Sequence, residues 1–227
     1  HLPETEAAAA KDGEEFIIVV PDSDTKLGGT MYSNSVTTGD AEAYIAHDLV
    51  RYIDGHYRTI AKRESRGLVG HSMGGYGTWK IAMRFPEQWG AIYAMSACCM
   101  SPRTTTVEQA EKLAAIPYDK APTENFGNRA SLASIAAWSP DPKNPPYYMD
   151  FGVKDGKVDP LIVAKWANNS PLAMATSHID QLKSFRAVAS DGGDKDGLTK
   201  DATTMHEQLD LYGVKNSFEV YDGNHTS

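Results

Sequence analysis

Apolar β-branched runs alternate along the chain with segments whose apolar residues recur every three or four positions. Phe16-Ile17-Ile18-Val19-Val20, closed by Pro21-Asp22, has no polar alternation, the pattern of a strand buried on both faces of a parallel sheet. A glycine- and serine-rich loop follows from Leu27 to Gly39. Asp40 then stands where it can cap a helix carrying Ile45, Leu49 and Ile53. The unit repeats: Arg66 to Val69 reads as a strand, Met73 to Arg84 as a helix and Gly90 to Met95 as a third strand. From Pro102 to Pro171 the rhythm breaks into a proline-rich, loop-like stretch centred on SPDPKNPPYY, Ser139 to Tyr148. It resumes with a strand over Phe185 to Ala189, a helix over Lys200 to Tyr212 with Ala202, Met205 and Leu209 on one face, and a strand over Ser217 to Tyr221. Before all of this, His1 to Glu15 reads as a polar, alanine-rich lead-in, helical or frayed.

Strands alternating with helices imply an α/β fold, a mostly parallel sheet with helices on both faces. The chain length suits a single domain, with a core over residues 14–98 and 176–227 and a lid-like insertion over 99–175. Right-handed crossovers would place the functional ends of the strands along one carboxyl edge. Ser72, Ser96, Asp191 and His225 all fall just after predicted strands.

Charge narrows the partners. A formal net charge of -8 leaves nothing basic with which to neutralise phosphates, so nucleic acid and an anionic membrane surface are not expected partners. No apolar run approaches the roughly 18 residues that span a bilayer. A small-molecule ligand, neutral or cationic, fits better. The only cysteines, Cys98 and Cys99, are sequence neighbours and cannot form a disulfide framework, which leaves the compartment open. The chain opens on His1 rather than methionine, from which we expect that a leader has been removed.

The chemistry concentrates in VGHSMGGY, Val69 to Tyr76, where three glycines surround one serine. Gly70-His71-Ser72-Met73-Gly74 matches G-x-S-x-G, the turn from strand to helix that holds a nucleophilic serine in a strained conformation. A glycine-rich phosphate cradle is the competing reading, but neither phosphate-loop glycine pattern is satisfied. A serine hydroxyl needs a base and the base needs an orienting acid, expected in the order Ser, acid, His. His225, in Tyr221-Asp222-Gly223-Asn224-His225 after the last strand, is the candidate base. The loop Ser190 to Leu198 offers Asp191, Asp194 and Asp196 as acids; Asp196, just ahead of the next helix, is favoured and the other two stay open. The aspartates lack the D-x-[DN]-x-[DN]-G order of a calcium loop, so no metal and no cofactor are expected. Met73 would give one oxyanion donor through its backbone N–H. The second normally follows a His-Gly pair, and no such pair occurs, so that donor is expected to lie outside this chain.

These residues carry a resemblance. GHSMGGYG with FPEQWGAIYAMS, the YSNS loop at Tyr32 to Ser35, DLVRYIDGHYRT at 48–59 and the terminal YDGNH together resemble the putative esterase family of α/β-hydrolases. That family includes S-formylglutathione hydrolase, feruloyl-type esterases and antigen 85-like mycolyltransferases. The resemblance implies Ser72 as nucleophile, Asp196 as acid and His225 as base. It also implies N-terminal strands ahead of His1 and a helix after His225, so we expect a hydrolase core lacking its edges.

The expected activity is hydrolysis of an ester or thioester through an acyl-enzyme, with transfer to an alcohol, or a binding protein that kept the fold, as the alternatives. Tyr32, Asn34, His71, Trp138 and Trp166 are candidate walls of the substrate pocket, with Tyr147 and Tyr148 beside them. Packing of a lid onto the sheet would explain the aromatic residues of the insertion equally well.

Overall fold

A computed structural model describes residues 15–227 of the chain. Four strands, β1 (Gly67–His71), β2 (Ala91–Met95), β3 (Ala187–Gly193) and β4 (Ser217–Tyr221), form one parallel sheet in sequence order. The ladders run Gly67↔Ala91 to His71↔Met95, Ala91↔Ala187 to Met95↔Asp191, and Ala189↔Ser217 to Gly193↔Tyr221. Every strand therefore ends on the same edge, as an α/β sheet with crossovers requires. β3 outruns its expected end at Ala189, although Asp and Gly are poor strand formers. Pairing with both neighbours overrides that weak propensity and takes Asp191 into the strand.

Two expectations concern the start of the chain, and one of them fails. The lead-in over residues 1–14 lies outside the described residues. Phe16 to Val20 is irregular and belongs to no sheet among the described residues, with Phe16, Ile17, Val19 and Val20 exposed. An apolar run becomes a strand only where a neighbour takes up its backbone hydrogen bonds. β1 pairs on one side, with β2, and that partnership does not extend to this run.

The first helix, α1, is built of Ala41–Ala43, a π-helical Tyr44–Leu49 and Val50–His56. Asp40 makes no side-chain cap. Asn34 does that work across a two-stranded ribbon, its Oδ1 accepting from Glu42 N at 2.9 Å and Ala43 N at 3.4 Å. The second helix, α2 (Met73–Arg84), leaves β1 through Ser72 and buries every residue from Gly75 to Met83.

The insertion is not the loop that its prolines suggest. It folds as α3 (Val107–Ala114), α4 (Phe126–Trp138), α5 (Pro160–Ala167) and α6 (Pro171–Ala175). Pro160 and Pro171 open helices, at the position where a missing N–H is harmless, each behind a capping residue, Asp159 or Ser170. Leu132, Ile135, Trp138, Tyr147, Met149 and Trp166 give it a core of its own, closed onto α2 at Tyr76. Beyond it, α7 (Ile179–Lys183) and α8 (Thr199–Leu211) cover the sheet, where Trp79, Ile81, Ile92, Val188, Met205 and Leu209 form the main core.

One buried cation ties these layers together. Lys80 of α2 is wholly buried, 3.0 Å from Glu42 Oε1 of α1, and donates to Asn169 Oδ1 of the insertion at 2.8 Å and to Ser33 Oγ. Burial pushes its pKa down to about 8, against the opposing pull of Glu42. Glu42 also accepts from Arg84 Nη1 at 3.0 Å. Glu42→Ala would strand both cations in place, so unfolding in urea should show a loss of about 3–5 kcal/mol. A loss under about 1 kcal/mol would mean that the ion pair is as weak as a surface one.

Candidate active site

Ser72 joins β1 to α2 with φ 56° and ψ -114°, a torsion pair that a side chain adopts only when its surroundings force it. What forces it is the close approach of the two arms of the turn. A Cβ on Gly70 would lie 2.2 Å from the carbonyl carbon and oxygen of Gly74, so no side chain fits there. The backbone is pinned as well: Ser72 N donates to Met95 O at 2.9 Å, and Ser72 O accepts from Tyr76 N and Cys98 N, both at 3.1 Å. The hydroxyl is thereby lifted to the carboxyl edge of the sheet. Met73 is the first residue of α2, so its N–H has no partner within the helix and lies beside the serine.

His225 reaches the same point from the loop after β4. With Nδ1 protonated, its ring donates to Asp196 Oδ2 at 2.8 Å, and Nε2 accepts from Ser72 Oγ at 2.9 Å. The approach of its loop depends on Gly193, where a Cβ would sit 2.4 Å from Gly223 O. Lys195 N donates to Gly223 O at 2.9 Å, and Gly223 N donates to Asp194 Oδ1 at 3.0 Å. Behind it, His71 Nε2 donates to the carbonyl of His225 at 2.7 Å.

The three aspartates have separate tasks. Asp191 lies in β3 and accepts from Tyr93 Oη and, at 3.2 Å, from Ser96 N. Asp194 holds the His225 loop through Gly223. Asp196 alone meets the imidazole, and its Oδ1 accepts from Leu198 N at 3.0 Å. Burial would raise the Asp196 pKa, but the Leu198 N–H, the His225 imidazole and Ser96 outweigh it and hold the carboxyl below the usual carboxylate range.

The cleft over this line is open, lined by Ser72, His225, His71, Tyr32, Trp138 and Arg103. Three anticipated pocket residues lie elsewhere. Trp166 is buried in the core of the insertion, donating to Ser139 Oγ at 2.8 Å, because its large apolar ring finds more contact there than in a cleft. Asn34 is spent on capping α1. Tyr147 also packs inside the insertion, donating to Ile116 O at 2.8 Å. Cys98 N, which holds the Ser72 carbonyl, was not anticipated; its position just after β2, on the carboxyl edge, is the signal that marks it.

The described family Putative esterase matches residues 3–227. Over 53 residues, 23% of this chain and 18% of the relative, the chain is 38% identical to an S-formylglutathione hydrolase of Paracoccus denitrificans (strain Pd 1222). The matched segment thus spans less than a fifth of that curated relative. Among solved structures, a ferulic acid esterase superposes with TM-score 0.63 at 22% identity, over 99% of this chain and 70% of the other. The fluorophosphonate-binding serine hydrolase F of Staphylococcus aureus gives 0.56 at 19% identity, over 86% and 61%. At such identities the solved structures speak for the fold, an α/β-hydrolase.

Proposed function

The chain belongs to the Putative esterase family, and from that premise we propose a serine carboxylesterase in which Ser72, His225 and Asp196 act as nucleophile, base and acid. The observation that carries the reading is a serine held in a strained turn with its hydroxyl 2.9 Å from an imidazole that is itself bound to a carboxylate. Ser72 Oγ attacks the ester carbonyl while His225 Nε2 takes its proton. The same nitrogen returns that proton to the departing alcohol, and an acyl-enzyme remains. Water, activated in turn by His225, releases the acid. Asp196 keeps the proton on Nδ1 and stabilises the imidazolium, and Met73 N–H is one donor for the oxyanion.

Hydrolysis of an aryl acetate, followed by product analysis with and without an added alcohol, tests the reading. Free acid as the main product supports it, and an ester of the added alcohol would instead point to acyl transfer. Neither turnover nor fluorophosphonate labelling of Ser72 would leave only a binding role.

The pH dependence is specific. Because the Asp196 pKa is lowered, this carboxylate stays ionised throughout the window of about pH 5 to 8 in which histidines titrate. kcat/KM should therefore rise with pH through a single ionisation, with the base active once deprotonated. A flat profile would remove His225 as the base, and a rise of slope two would show that the acid titrates as well.

A further inference from the structure

Cys98 and Cys99 take no part in the proposed chemistry, yet they stand against it. Cys98 N donates to Ser72 O at 3.1 Å. The two Sγ atoms are 2.8 Å apart, both residues are half-buried, and both line the cleft that holds Ser72 and His225. Cys99 has φ 60°, the left-handed region that a side chain enters only under constraint. The turn after β2 thus presents two thiols side by side at the nucleophile.

We propose that Cys98 and Cys99 form a dithiol modification site at the active-site cleft, closed reversibly into a vicinal disulfide by small-molecule disulfides, with loss of turnover at Ser72. The two thiols are not equivalent. The hydrogen bond from the Cys98 thiol, aided by the Arg103 guanidinium, favours the Cys99 thiolate against the cost of burial. Donating that bond, together with burial, keeps Cys98 protonated. Cys99 is therefore the attacking sulfur.

Its thiolate attacks one sulfur of the small disulfide. The disulfide bond breaks, one thiolate leaves, and a mixed disulfide remains on Cys99. Cys98 then gives up its proton to the departed thiolate and attacks Cys99 Sγ, displacing the second small thiolate, which is protonated from solvent. The protein pair is oxidised by two electrons and the small disulfide is reduced to two thiols.

Adjacency makes the closed form labile. Neighbouring Cα atoms are about 3.8 Å apart, whereas ordinary disulfides hold theirs at roughly 4.4–6.8 Å. A strained bridge of this kind is readily reduced, which suits a switch rather than a staple. Closure turns the 2.8 Å approach of the sulfurs into a bond within a strained ring, and the turn it strains is the one whose Cys98 N–H holds the Ser72 carbonyl. A displacement of about 1 Å at reacting groups can reduce turnover by about a hundredfold.

The effect on turnover rests on the esterase reading, whereas the chemistry of the thiols does not. The test treats the reduced full chain with glutathione disulfide and follows intact mass, peptide mass and the rate on an aryl acetate together. The expected result is loss of two hydrogens in the peptide bearing both cysteines and a rate at least about tenfold lower, both restored by dithiothreitol. Neither single variant can close the bridge: Cys98→Ala should stop at a glutathione adduct on Cys99, and Cys99→Ala should show no loss of two hydrogens. A wild-type chain that ends as a stable glutathione adduct, or that closes its disulfide without slowing, overturns the proposal. A reduced chain that hydrolyses no ester overturns the esterase reading instead, and the mass measurement still decides whether the dithiol closes.

Discussion

Ser72→Ala should lower kcat for ester hydrolysis by about a millionfold, the loss seen when a serine nucleophile is removed from a triad that works as a unit. The cause is chemical rather than structural. Alanine removes the Oγ that would accept the acyl group, while the Gly70 and Gly74 approach and the three backbone hydrogen bonds of residue 72 do not depend on the hydroxyl. Thermal unfolding should consequently change little. Fluorophosphonate labelling should vanish together with turnover. If hydrolysis survives within about tenfold of the wild type, catalysis does not go through an acyl-enzyme at this serine.

Asp196→Asn should be the next most damaging change, about ten-thousandfold in kcat near neutral pH. The amide can donate to the imidazole as well as accept from it. The His225 tautomer with its proton on Nε2 is then favoured, and that nitrogen can no longer accept from Ser72 Oγ. The neighbouring aspartates provide the control. Asp194→Asn retains an oxygen to accept from Gly223 N, so its effect should stay within about tenfold. Equal losses from Asp194→Asn and Asp196→Asn would mean that the acid loop rearranges and that the 2.8 Å contact is not the working one. Both predictions concern a hydrogen-bonded line, and the dithiol beside it adds a third way of disturbing the same serine.

Much of this arrangement was legible in the residue pattern. The G-x-S-x-G turn, the helix over Met73 to Arg84 and the strand over Ser217 to Tyr221 follow from local rules and appear with those bounds. The helix was legible because an element buried on most faces writes its burial into consecutive residues. Phe16 to Val20 shows the limit of the same rule. Its pattern meets every local requirement of a strand, but a strand is a relation between two segments, and among the described residues none pairs with it. The insertion erred the other way, since prolines that open Pro160–Ala167 and Pro171–Ala175 read as loop punctuation when taken alone.

By itself the sequence determined the α/β alternation and the serine elbow, because each depends on residues near one another in the chain. The residue order favoured Asp196 among three aspartates, but only tertiary structure brings it to His225, because Asp191 lies inside β3 and Asp194 is bound to Gly223. It also decided that Asn34 caps a helix, that Trp166 belongs to the insertion's core and that the turn bearing Cys98 and Cys99 is bound to the Ser72 carbonyl. Contacts between distant segments leave no period in the sequence, and they are fixed only when the layers close.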